Sequence, residues 1–226
     1  MNYRKYIPAV HRGFETRVPA KEFSMENTKK RPRWNAEKTQ TVVGLGILTA
    51  LVVVLQFVSM GLRFTAFSIT LTLIPIVVGA ALFGWKWGAW LGFVFGVTVL
   101  LTGDAAAFLA INIPGTIITV LVKGAMSGLC AGFAYKLFEK KNTIVATLIA
   151  SIVAPVVNTG IFILGCYVFF IDSISSAATE AGYGTFAFIV LFYVGINFLI
   201  EFGTNIILNP AAVAIINQGK KTFKKA

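Results

Sequence analysis

Lys123 stands in the middle of GTIITVLVKGAMSGLCAGFAYKLF, residues 115–138, a stretch that is otherwise apolar and rich in small residues. If the stretch crosses a membrane, the lysine lies at bilayer depth. A charge there costs several kcal/mol or more, so it turns inward and finds a partner. Polar residues recur on its own face: Asn112, Thr116, Thr119, Lys123 and Ser127 follow at intervals of three or four. A second series, Asn197, Glu201, Asn205 and Asn209, repeats every four residues, and Asn158 and Thr159 lie close to Pro155. Side chains at these spacings share one face of a helix. With a rise of ~1.5 Å per residue, Lys123 lies ~15 Å inside its helix, and Glu201 lies at a comparable depth on a helix running the same way. Two roles are open. The two charges form a structural ion pair, or they contact a ligand directly or through water. Two charges at one depth along a polar stripe describe a wet pocket better than a dry core.

The remaining reactive residue types point away from enzymes. The single histidine, His11, lies in the N-terminal segment. Cys130 and Cys166 sit within apolar stretches and read as small apolar packers, with no disulfide framework. No apolar stretch holds a histidine or two close carboxylates, which nucleophilic or metal chemistry would need. No GxxxxGK followed by Ser or Thr is present, so nucleotide binding is not expected in this chain. Neither a catalytic residue, a metal site nor a cofactor is expected.

The elements that position these residues follow from composition. Of 226 residues, 57% are hydrophobic and 13% are charged, with a net charge of +11. Soluble domains carry roughly 25% charged residues. The apolar runs are continuous rather than striped, so no face is left for water. Half of the basic residues, ten of twenty, lie in residues 1–38, which also hold Pro8, Pro19 and Pro32. That segment lacks the apolar core of a signal peptide. It reads as a flexible basic cytoplasmic tail whose KKRPR run (Lys29 to Arg33) attracts anionic lipid rather than nucleic acid.

A membrane span needs ~20 mostly apolar residues. The pattern predicts an all-α membrane protein with six spans, over 40–60, 68–83, 87–102, 113–138, 143–171 and 185–217. Residues 39–218 form the membrane domain, and 219–226 a second basic cytoplasmic tail. The segment 172–184, DSISSAATEAGYG, is expected as a polar loop, and Pro210 is expected to kink or end the sixth span. The loops after odd-numbered spans carry Arg63 as their one basic residue, with Asp104, Asp172 and Glu180. The loops on the other side hold Lys86, Lys136, Lys140 and Lys141, and the C-terminus adds four lysines. Positive residues favour the cytoplasmic side, so both termini are expected there. Trp85, Trp87 and Trp90 fit an aromatic belt at that interface.

Glycines also repeat every four residues: Gly84, Gly88, Gly92 and Gly96, then Gly124, Gly128 and Gly132, with Gly46 and Ala50 on the first span. Small residues at this spacing let helix backbones approach closely, either within the bundle or against another membrane subunit.

Taken in order, FSITLTLIPIVVGAALFGWKWGAWLGFVFG, TGDAAAF, GTIITVLVKGAMSGLCAGFAYKL, PVVNTGIF and NFLIEFGTNIILNP resemble the substrate-binding membrane subunit, or S component, of energy-coupling factor (ECF) vitamin transporters. The resemblance covers residues 40–217. It implies high-affinity capture of a small water-soluble vitamin or precursor from outside the bacterial plasma membrane. It also implies partnership with a transmembrane coupling protein and two cytoplasmic ATPases, which supply the energy. On this resemblance the ligand site draws on Arg63, Phe67, Asp104, Asn112, Thr116, Lys123, Asn158, Asn197 and Glu201, near the outer face. Gly46, Ala50, Gly88 and Gly92 would dock the coupling protein. The mixture of amides, hydroxyls, aromatics and a cation favours an acidic, pantothenate-like ligand over riboflavin, pyridoxine-type, thiamine-type or folate ligands. A small channel or an autonomous ion-coupled carrier is the alternative.

Overall fold

The computed structural model describes residues 36–61, 63–64, 67–68 and 71–224. The N-terminal tail with its KKRPR run lies outside them, as do the side chains of Arg63 and Phe67. Continuous apolar sequence forms helix α1 (Ala36–Gly61), which starts inside the stretch expected as tail. A small antiparallel hairpin follows, β1 (Arg63–Phe64) on β2 (Phe67–Ser68), with Arg63 opposite Ser68 and Phe64 opposite Phe67. Helices α2 (Leu73–Phe83) and α3 (Trp85–Leu101) are joined at Gly84, whose φ of 98° lies where side chains are disfavoured. A short helix, α4 (Ala106–Leu109), precedes α5 (Ile113–Phe138) and α6 (Thr143–Phe169).

Local chemistry fixes where the two long helices start. The Asn112 side chain accepts a hydrogen bond from Gly115 N at 2.9 Å, and Pro114 occupies the first turn of α5. Asn142 does the same for α6, accepting from Ile144 N at 2.8 Å. Asparagine satisfies an amide that helix geometry leaves unpaired, and proline has no amide to leave unpaired there.

The segment 172–184 is not a plain loop. It contains α7 (Ile171–Glu180), on which Ile174 and Ala178 are buried one turn apart while Ser173 and Ser176 face out. The polar composition hid a helix with one apolar face. The expected sixth span is likewise interrupted. It comprises α8 (Thr185–Phe188), a π-helical segment (Ile189–Val194), α9 (Gly195–Ile207) and α10 (Asn209–Lys224). The chain bends by 48° at the break before Asn209. Pro210 sits immediately beyond this bend, at the kink expected for it, and lacks the N–H that would continue the ladder. Helix α10 runs on to Lys224, through residues expected to form a tail. There Lys220 Nζ lies 3.6 Å from Glu139 Oε2 and 5.1 Å from the Tyr135 ring centroid.

Among the described residues three helices, α1, α5 and α6, are each long and apolar enough to cross a membrane, against the six spans expected. The count rises to five if the bent pairs, α7 with the segment from Thr185 and α9 with α10, each make one span. Helix α2 has 11 residues, ~16 Å of rise against a hydrocarbon core of ~30 Å.

The core is built on α5. Its glycines meet those of α3 backbone to backbone. A Cβ on Gly92 or Gly124 would overlap the carbonyl of the other, and so would one on Gly88 or Gly128. A Cβ on Gly96 would lie 2.8 Å from Val120 O. Gly88 and Gly92 are therefore interior packing residues, and the expectation that they dock a partner is corrected. On another face of α5, Ser127 Oγ donates to Ala154 O of α6 at 2.8 Å, across two helices. Leu73, Ile76, Leu91, Phe95, Ala131 and Ala150 fill the space between α2, α3, α5 and α6.

Candidate functional site

A cavity of about 290 Å³ opens among the ends of α1, α3, α5, α6 and α9, roofed by α4 and the π segment. Every connection at this end is long. The opposite end holds the tight turn at Gly84 and the turn after α5, and with them the lysines at 86, 136, 140, 141 and 220. Of the nine residues expected from sequence, the cavity brings together six: Asp104, Thr116, Lys123, Asn158, Asn197 and Glu201. Asn112 is not among its lining. Its carbonyl oxygen caps α5, and its Nδ2 donates to Phe169 O at 3.4 Å, tying the start of α5 to the end of α6. The backbone of Arg63 and Phe67 forms the hairpin, and their side chains are outside the described residues.

The floor is charged. Glu201 is only 8% exposed, and its carboxylate is acted on by the Lys123 ammonium and the Asn158 side chain. Lys123 Nζ lies 5.2 Å from the centroid of the Phe162 ring, over its face. An ammonium over an aromatic face is attracted by the ring quadrupole. Asn158 Oδ1 and Thr119 Oγ1 are buried and have no hydrogen-bond partner in the structure. Buried polar groups normally have one, supplied by protein or bound water, so these atoms mark unfilled bonding capacity at the floor.

The rim is a hydrogen-bonded brace. Gln56 Nε2 donates to Asp104 Oδ2, Thr72 Oγ1 to Gln56 Oε1 at 3.3 Å, and Thr102 Oγ1 to Asp104 Oδ2 at 3.5 Å. The end of α1, the start of α2 and the end of α3 are thereby tied together around one carboxylate.

The wall is aromatic. Phe108 lies 5.3 Å from Phe162, 5.1 Å from Phe170 and 5.3 Å from Tyr193, centroid to centroid, at interplanar angles of 89°, 71° and 57°. Phe95, Phe192 and Phe198 complete the lining. Most of these residues fell outside the sequence-based set. An aromatic residue facing a pocket and one facing lipid look the same in a sequence. Gln56 could have been found, as a lone amide deep in the apolar run of α1. Thr119 stands in the polar series of α5 but was not carried into the expected site.

Among the described residues, no three of His, Cys, Asp or Glu come together in a way that could hold a metal ion. The arrangement suits reversible binding of a small organic molecule, with fixed charges, hydrogen-bonding groups and rings converging on one space.

The fold and the cavity define a multi-pass α-helical membrane protein with a small-molecule pocket between its helices. The family described as "ECF transporter, substrate-specific component" matches residues 40–213, and the chain belongs to it. No curated protein and no solved structure matches the chain. As a substrate-specific component it serves in uptake by an ECF transporter, as the subunit that selects the substrate.

Proposed function

We propose that this chain captures a small water-soluble vitamin or vitamin precursor in the cavity above Lys123 and Glu201. It delivers the ligand across the bacterial plasma membrane as the S component of an ATP-driven ECF transporter. A transmembrane coupling protein and two cytoplasmic ATPases complete the assembly. The observation that carries this reading is the cavity itself. It is lined by α1, α3, α5, α6 and α9, ringed by aromatics, and supplied with the Lys123 cation, a buried carboxylate and unsatisfied polar atoms. Small molecules extracted from the purified protein and identified by mass spectrometry test the reading. A bound vitamin is expected, together with co-purification of the coupling protein and ATPases from cells that express them. A protein that yields neither would overturn it.

The cavity would face outward, with both termini inside, because the opposite end of the bundle carries the lysines. The helix α7 lets this be tested residue by residue. Ser173→Cys and Ser176→Cys, on its exposed face, should react with an impermeant maleimide added to intact cells. Ala178→Cys, on the buried face, should not. Labelling of the serine positions only in inverted vesicles would reverse the topology.

The docking face falls to α1. A Cβ on Gly46 would meet no atom within 4 Å, and Ala50, Ile47 and Val54 are exposed. Gly46→Leu or Ala50→Leu should reduce recovery of the coupling protein with this subunit by about tenfold, since bulk separates backbones that must touch. Melting temperature and ligand binding should be unchanged. Loss of ligand with assembly intact would place these residues inside the working bundle instead.

A further inference from the structure

The chemistry of the cavity narrows the ligand, given the vitamin-binding reading above. We propose that it takes a single-ring nitrogen heterocycle bearing an amino group, ring against Phe108 and Phe162, with its N–H donors at Glu201 and Asn158. Three observations converge on this class.

The first is size. About 290 Å³ lies at the lower end of the ~300–1,000 Å³ found for pockets that enclose small organic ligands. One ring with short substituents fits, whereas a fused flavin or a pterin with its glutamate tail is oversized.

The second is the wall. Phe108, Phe162, Phe170 and Tyr193 meet at steep angles, so they offer both faces and edges within one space. A flat ring can stack offset on one and meet another edge-on, each such pair adding ~0.5–1.5 kcal/mol beyond area burial. A flexible acyclic ligand gains none of this and loses rotamer freedom on binding.

The third is the balance of donors and acceptors. A carboxylate only accepts, so of the Asn158 amide it is the NH₂ group that can serve Glu201. Asn158 Oδ1 itself is buried and without a partner. A carboxylate oxygen and an amide oxygen thus stand near each other, both asking for N–H groups. An amino-substituted ring nitrogen system, as in an aminopyrimidine or an aminomethylpyridine, supplies them. Lys123 then serves a ligand hydroxyl or other acceptor. The pantothenate-like ligand expected from the sequence is disfavoured, since an acyclic molecule leaves the ring faces of this wall unstacked.

Calorimetric titration of the full-length purified protein with 4-amino-5-hydroxymethyl-2-methylpyrimidine, pyridoxamine, pantothenate and riboflavin tests the proposal. The aminopyrimidine or pyridoxamine should bind at least tenfold more tightly than pantothenate or riboflavin. Glu201→Gln, folded as judged by its melting curve, should weaken that ligand by about tenfold to a hundredfold, the range for a lost charged hydrogen bond. If the variant does not fold, the order of affinities in the native protein still decides. Tighter binding of pantothenate or riboflavin overturns the proposal. So does failure of all four to bind a subunit that still co-purifies with the coupling protein and ATPases, and in that case the transporter role stands. If nothing binds and nothing co-purifies, the transporter role falls and the ligand class falls with it.

Discussion

Lys123→Met should lower both thermal stability and ligand affinity sharply, and combining it with Glu201→Gln should restore much of the stability but not the binding. The reason lies in the floor of the cavity. Glu201 is nearly enclosed, and the Lys123 ammonium lines the same cavity. Removing one member of a buried pair strands the other charge, at a typical cost of ~3–5 kcal/mol. The double substitution leaves no charge behind, and replacing a buried pair by uncharged groups is often neutral. Binding should not recover, because both groups line the cavity proposed for the ligand. Melting curves and titrations of the two single variants and the double variant measure the coupling directly. Additive stability losses would show that the charges are independent, and a double variant that binds normally would remove both from the ligand site.

Gly92→Leu should prevent stable folding of the bundle. Its Cβ would overlap the carbonyl of Gly124, and backbone cannot move aside as a flexible side chain can. Overpacking a close-fitting core costs ~1–3 kcal/mol where side chains can adjust, and more where they cannot. The same overlap arises at Gly88 against Gly128, so Gly88→Leu should behave alike. The contrast is with Gly46→Leu, where nothing lies within reach of the new side chain. Expression in membranes and melting temperature should separate the two classes. A Gly92→Leu protein that melts normally would mean that α3 and α5 do not cross as closely as described.

The glycine repeats show what a sequence can and cannot convey. Their four-residue spacing announces that helices approach closely, because only a missing side chain permits it. The spacing does not say which helix is met. Gly88 and Gly92 turned out to face α5 inside the bundle, whereas Gly46 and Ala50 on α1 remain exposed, and all four read alike before folding. The polar series behaved differently. Lys123, Glu201, Asn158, Thr116, Asp104 and Asn197 were grouped from the sequence and line one cavity, because a polar group in an apolar run has few tolerable places to be. Asn112 belonged to the same series yet caps α5, a role set by where the helix begins.

By itself the sequence determined that this is a helical membrane protein, where α5 and α6 lie almost to the residue, and that buried charges would gather near one depth. Those features follow from solvation, which acts on each residue according to its own type and spacing. The tertiary structure decided the helix hidden in 172–184, the breaks between α8 and α10, the partner of each glycine face, and the aromatic wall around Phe108. These depend on contacts between residues far apart in the chain. A phenylalanine against lipid and a phenylalanine against a ligand differ only in what stands opposite them, and only the folded chain supplies that.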